Sequence, residues 1–190
     1  ANFCKSFLTE LFLLREMPKS LLIIGGGVIS VEFASVYADL GCQVTIVEAL
    51  PRIVPNMDKD ISQNLKMILK KRGVEIITGA KVQNIISNGE LLCCNYVEKE
   101  KEQSVEAEYI LSAVGRCPNT DGLIADSVAI EMERGRVVVN SDFETSIPGV
   151  YAIGDLIFGA QLAHTASAQG LYVVEKIAGH TPSVSLEAVP

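Results

Sequence analysis

Apolar and polar positions follow two different rhythms along this chain, and the change from one to the other outlines its elements. Residues 21–24 are four consecutive apolar positions, the pattern of a strand covered on both faces in a parallel sheet. From Val28 the apolar positions recur at helical spacing as far as Leu40, and Gly41 closes the segment. Residues 42–47 ("CQVTIV") repeat the buried-strand pattern and end in Glu48. A loop with two prolines (residues 49–60) leads into a helix capped near Asp58 and running to Arg72. Ile61, Leu65, Ile68 and Leu69 are its expected apolar face, and Lys70, Lys71 and Arg72 complement its negative end before Gly73. Residues 74–78 form the next strand, which completes a β-α-β-α-β order.

Beyond residue 80 the rhythm shortens to alternation. Residues 81–87 and 91–97 flank Asn88-Gly89, a strong hairpin signal, and the polar run "EKEKEQS" (residues 98–104) reads as a solvated turn into residues 107–115. The expectation is a three-stranded antiparallel meander in place of a crossover helix. The remainder is of another kind. Residues 115–123 read as a loop, residues 135–146 as carrying one short strand, residues 149–155 ("GVYAIGD") as an apolar strand, and residues 162–180 as a helix of small residues. From about Arg116 onward there are too few strands to close a doubly wound sheet alone.

Composition narrows the partners. With 190 residues the chain can bury a sizeable core in one or two domains, and its net charge of -7 offers no basic stripe for nucleic acid. The apolar run at residues 7–14 is far too short to span a bilayer and carries a glutamate, and no secretory signal pattern is visible. Five cysteines (Cys4, Cys42, Cys93, Cys94, Cys117) and two histidines make no CxxC pair and no metal-ligand spacing, which fits a reducing cytoplasmic setting without a metal site. Adjacent Cys93 and Cys94 would point to opposite faces of a strand.

The candidate chemistry lies between the first strand and the first helix. Gly25 and Gly27 fill the first two positions of GxGxxG, where naked backbone permits a tight turn and the approach of a pyrophosphate; Ser30 stands at the third. Glu48, about twenty residues further on, can accept from adenosine ribose hydroxyls and repel a 2′-phosphate, which favours NAD over NADP. The competing reading makes the glycine turn a packing device and Glu48 a solvated side chain.

Four stretches in fixed order, from "LLIIGGGVISVEFASVYADLGCQVTIVEALPRIVP" through "ILSAVGRCPNT" and "TSIPGVYAIGD" to "QLAHTASAQG", resemble the class I pyridine nucleotide-disulfide oxidoreductases. These are flavoproteins with two dinucleotide-binding domains, and the likeness is strongest to the dihydrolipoamide dehydrogenases. The resemblance implies an α/β fold, the Rossmann-like three-layer ββα FAD/NAD(P)-binding domain with an antiparallel β-meander crossover. It divides the chain into a leading segment (1–16), an NAD-binding domain (17–114), the second half of an FAD-binding domain (115–180) and a linker toward an interface domain (181–190). Carried over position by position, it implies that Gly25, Gly26, Gly27, Val28, Ile29, Ser30, Val31 and Glu32 form the pyrophosphate loop. Glu48 becomes the ribose acid, Val82 lies beside the adenine, and Gly115 is a backbone contact toward the nicotinamide. Asp155 would bind the FAD ribityl chain, and Gln161, Leu162, Ala163 and His164 would offer backbone amides to the flavin.

In such enzymes electrons pass from a dithiol through a disulfide and FAD to NAD, a lipoyl-bearing protein is the substrate, and the molecule is a homodimer. The family's redox cysteine pair and its first FAD loop would precede residue 1, and its catalytic histidine would follow Pro190. This stretch alone is therefore expected to carry no catalytic residue and not to turn over. His164 is expected to act through its backbone, and Cys117 lacks an activating neighbour. Ser30 and Gln169 depart from the commoner glycine and glutamate. A mercuric or glutathione reductase-like flavoprotein, or a non-enzymatic NAD-sensing module, remain as alternative readings.

Overall fold

A computed structural model describes residue 11, residues 13–125 and residues 127–186, and the chain divides into two compact units between Gly115 and Arg116. The first unit is built on β1 (Ser20–Ile24), whose neighbours are β2 (Gln43–Glu48) on one side and β7 (Tyr109–Ser112) on the other. With β3 (Glu75–Thr78) they form a parallel sheet in the order β3-β2-β1-β7. The pairing sets Ile24 beside Val47 and Ser112. Helices α1 (Val28–Asp39) and α2 (Lys59–Lys71) connect the first three strands. The meander β4 (Ala80–Asn88), β5 (Leu91–Glu98) and β6 (Lys101–Ala107) precedes β7.

Successive side chains of a strand point to opposite faces, so each parallel strand serves two cores at once. Leu21, Ile23, Val44, Ile46 and Leu111 pack with Val31, Ala34 and Tyr37 of α1 and Leu69 of α2. Leu22, Val47 and Ile110 pack with Leu92, Cys94, Tyr96 and Ala107 of the meander. The result is the expected three-layer α/β arrangement of helices, parallel sheet and antiparallel sheet.

Several expectations need correction. The buried line of α2 runs through Ser62, Leu65 and Leu69, while Ile61 and Ile68 remain 50% and 47% exposed. Ser62 Oγ donates to the Ile53 carbonyl at 2.7 Å, and that bond turns the helix away from its most apolar face. The polar run at 98–104 is not one turn. The reversal occupies only Lys99 and Glu100, both at positive φ (50° and 64°), and Lys101 already begins β6. The stretch 107–115 is also broken, with Ala107 ending the meander and Tyr109 starting the return to the parallel sheet.

In the second unit, β8 (Met132–Glu133) and β9 (Arg136–Val137) make a minimal hairpin where one strand was expected. Residues 149–155 do not form a strand. Tyr151 makes a single antiparallel bridge to Glu144, flanked by bonds from Thr145 N to Val150 O (2.8 Å) and from Ala152 N to Phe143 O (3.0 Å), and a 3-10 turn (Gly154–Leu156) follows. Helix α3 (Ala163–Ile177) is present as expected. Val137, Ala152 and Ile157 make a small core with Ile130, Val139 and Phe143. Asp142 accepts from Tyr172 Oη and Lys176 Nζ, each at 2.9 Å, which ties α3 to the preceding loop. Residues 1–10, 12, 126 and 187–190, with Cys4 and parts of the leading segment and linker, lie outside the described residues.

Candidate functional site

In the first unit the carboxyl ends of β1, β2 and β7 lie together, and the loops that leave them meet there. Gly25 leaves β1 at φ +102°, and a Cβ at that position would stand 2.5 Å from the Ala113 carbonyl oxygen. Only glycine allows the loop to pass so close to the residue after β7. Its N–H donates to Val47 O at 2.9 Å, and Ala113 N donates to Ile24 O at 2.8 Å.

Glu48 organises the next step of the loop. It is 8% exposed, its Oε2 accepts from the Gly26 amide, and its Oε1 accepts from the Leu50 amide at 2.6 Å. A Cβ on Gly26 would meet the Glu48 side chain at 3.0 Å. The Gly26 carbonyl in turn accepts from Val54 N at 2.6 Å, so the glycine loop and the loop after β2 hold each other. The sequence reading gave Glu48 a ribose-binding role and missed this structural one; its place at the end of β2 was the available signal. Each carboxylate oxygen keeps a second lone pair.

Gly27 differs from its two neighbours. It caps α1 at φ -74°, and a Cβ there would meet nothing within 4 Å, so the approach to the helix start is open. Among the described residues no group accepts from the amides of Val28, Ile29 or Ser30, and the first turn has neither an acidic residue nor a side-chain cap. Ser30 is fully buried, and its Oγ has no hydrogen-bond partner among the described residues. Uncapped amides beside the positive end of a helix dipole suit an anionic group. Val31 is buried in the helix-side core, while Val28 is half-exposed and Glu32 exposed. Val82 packs on β4 against the meander-side core, at a β-bulge. Gly115 follows β7 at the same sheet edge as the glycine loop.

The second unit holds the other candidates. Asp155 is half-buried in the 3-10 turn, with Oδ2 3.3 Å from Arg116 Nη2. Gly154 N donates to Gln169 Oε1 at 2.7 Å. A carboxylate oxygen would accept the same bond, so glutamine at that place preserves the tie. Gln161 and Leu162 lead into α3, whose first turn contains Ala163 and His164, no acidic residue and no side-chain cap. Thr165 Oγ1, one turn in, is buried and unpaired. The sequence reading missed Arg116 and Arg136, the basic residues beside this turn.

Thiol chemistry is muted here. Burial pushes the Cys42 thiol up to about 11, with Glu108 adding to it, and does the same to Cys94, with Cys93 adding to it. The four described cysteines are free. Among the described residues no three His, Cys, Asp or Glu side chains cluster as a metal site, and no helix is long and apolar enough to cross a membrane.

Comparison with known proteins gives consistent results. Residues 7–170 match the family described as pyridine nucleotide-disulphide oxidoreductase. The chain is 39% identical over 178 residues to the dihydrolipoyl dehydrogenase of Geobacillus stearothermophilus, covering 93% of this chain and 38% of that protein. It is 41% identical over 181 residues to the dihydrolipoamide dehydrogenase of Chaetomium thermophilum, covering 93% and 36%. Among solved structures, LpdA from Mycobacterium tuberculosis superposes with a TM-score of 0.87 at 29% identity, covering 96% of this chain and 40% of that one. The HOCl-induced flavoprotein disulfide reductase RclA from Escherichia coli gives 0.83 at 32% identity, covering 93% and 40%. The chain thus spans 36% to 40% of the length of these relatives.

Proposed function

This chain belongs to the pyridine nucleotide-disulphide oxidoreductase family, and we propose that it forms the NAD-binding domain and the second part of the FAD-binding domain of a dihydrolipoamide dehydrogenase-like flavoprotein. The observation that carries this reading is the start of α1. There Gly27 is open and, among the described residues, the amides of Val28, Ile29 and Ser30 have no acceptor. These groups suit a nucleotide pyrophosphate, and Glu48 beside them supplies acceptor lone pairs for ribose hydroxyls while opposing a 2′-phosphate. The proposed domains are residues 17–114 for NAD and 115–180 for FAD, with Val82 toward the adenine and Gly115 toward the nicotinamide.

In the second unit Asp155 would accept from a ribityl hydroxyl, and the amides from Gln161 to His164 would face the flavin. The start of α3, without acidic residues, favours negative charge there. When bound, the two cofactors supply hydride and electron transfer between a dithiol and NAD, and this chain's residues bind and orient them. A lipoyl-bearing protein is the proposed substrate, and a homodimer the proposed assembly.

The likeness to RclA favours a second reading, a flavoprotein disulfide reductase acting on another substrate. Calorimetric titration of the chain with NADH and NADPH tests the first part of the proposal. Tighter binding of NADH is expected; equal affinity, or a preference for NADPH, overturns the assignment. Dihydrolipoamide-dependent NAD reduction by the full-length flavoprotein separates the two readings, since its absence with bound FAD leaves only the second.

A further inference from the structure

The loop between the Asp155 turn and α3 has little to hold it. Residues 158–160 are exposed, and Gly159 sits at φ +132°, a conformation that gives the backbone wide freedom. Yet one side chain reaches across the whole loop. Arg136, on β9, donates from Nη1 to the Asp155 carbonyl at 3.1 Å and to the Ile157 carbonyl at 2.9 Å. Its guanidinium stands over the Phe158 ring, 5.6 Å from the centroid. With the Gln161 amide turned so that its oxygen faces the guanidinium, that oxygen accepts from Nη2 at 3.0 Å. Arg136 is anchored by its neighbour Val137, which is buried in the unit's core with Ala152 and Ile157.

We propose that Arg136 is a positioning residue that holds the Asp155 turn and the approach to α3 in one fixed relation; the proposal rests on the reading of this segment as part of a flavin site. Its contacts define orientation as well as distance. A trans peptide sets its C=O and N–H antiparallel, so carbonyls of Asp155 and Ile157 turned toward the guanidinium aim the amides of Leu156 and Phe158 the other way. The Gly154 amide is tied separately to Gln169, in the middle of α3. Two ties at different depths hold the turn against the helix and its approach, and Arg136 supplies the outer one. A planar fork that meets several acceptors and stacks on a ring is beyond the reach of a lysine ammonium, so charge alone does not reproduce it.

The test compares wild type with Arg136→Lys and Arg136→Met in two settings. In the 190-residue chain, hydrogen-exchange mass spectrometry reads the peptide covering residues 154–162. Exchange there is expected to rise about tenfold in both variants, with the amides of α1 unchanged as a check on folding. Unchanged exchange at 154–162 in Arg136→Lys overturns the brace. In the full-length flavoprotein, Arg136→Lys is expected to weaken FAD binding about tenfold and to alter the visible circular dichroism of the bound flavin. A role in packing or charge alone would be rescued by lysine, so affinity within about twofold of wild type with an unchanged spectrum overturns the proposal. Asp155→Ala in the same protein separates the two layers of the argument. If it too leaves FAD affinity unchanged, the flavin reading of this segment fails. If it loses FAD while Arg136→Lys does not, the flavin reading stands and the positioning role is refuted.

Discussion

Replacing Glu48 by glutamine tests whether this carboxylate is a structural tie as well as a ligand for the nucleotide. The side chain is 8% exposed, and both of its oxygens accept from backbone amides, Gly26 on one side and Leu50 on the other. Glutamine has nearly the same shape but one acceptor oxygen, so its NH2 must face one of those amides, donor against donor. Hydrogen bonds to a charged acceptor contribute about 1.5–3 kcal/mol each, and a buried donor left unpaired costs about 1–3 kcal/mol. One neutral bond survives in the variant, contributing about 1 kcal/mol, so with the unpaired donor the expected loss of folding stability is about 3 kcal/mol or more. An exposed glutamate with no such partners would give a change within about 0.5 kcal/mol. Urea denaturation of the cofactor-free chain measures the difference, because no nucleotide is present to contribute. A change below about 0.5 kcal/mol would refute the structural role and leave Glu48 a surface acid.

Glycine substitutions should separate packing from ligand approach. Gly25→Ala, at positive φ against the Ala113 carbonyl, should lower stability by about 2–4 kcal/mol in the same denaturation experiment. Gly27→Ala should leave stability within about 0.5 kcal/mol while NADH affinity falls about tenfold, and retained affinity would remove the pyrophosphate from this loop. The thiols of Cys42 and Cys94 hold their protons up to about 11 in the folded chain against an ordinary 9.0, so stability should decline as pH rises between those values. Exposed Cys117 should react with a disulfide reagent at pH 8 well before either, and rapid labelling of Cys94 would contradict its burial. Leu171, Val174 and Ile177 on α3 are 55%, 65% and 61% exposed, and light scattering is expected to show self-association that Val174→Glu weakens. A monomer at every concentration would count against that face as a contact.

The parallel half of the fold was legible because its strands are short, mainly apolar runs and its helices are bounded by Gly41 and Gly73. Local patterns failed where a tertiary bond or a missing partner decided the outcome. Ser62 turned α2 through its bond to Ile53, a contact that no periodicity encodes. Residues 101–104 carry charges yet form a strand, because β6 pairs with β5 on one side only and its other edge favours charged side chains. Residues 149–155 look like a strand in composition, but their pairing with residues 143–145 stops at a single bridge, a length that composition does not encode. At the glycine loop, the identities of Gly25, Gly26 and Glu48 were readable, whereas the bonds that join them required the two loops to meet in space. Arg136 carried no signal at all, since its acceptors are carbonyls and an amide side chain distant in the sequence.

The place of β7 beside β1 also bears on the order in which the chain can assemble during synthesis. The Glu108 amide donates to Ser20 Oγ at 3.0 Å across 88 residues, and the Lys19 amide donates to Glu108 Oε2 at 2.7 Å across 89. A ribosome adding about 5–20 residues per second needs roughly 4–18 seconds to make that interval, whereas a hairpin closes in about 1–10 microseconds. The β4–β5 hairpin is therefore expected to be complete before β7 arrives, and one edge of β1 waits open throughout. Pulse proteolysis of nascent chains stalled before and after residue 112 would reveal the moment of closure as a step in protection of β1. Protection already complete before β7 emerges would mean that the edge is guarded by something other than its final neighbour.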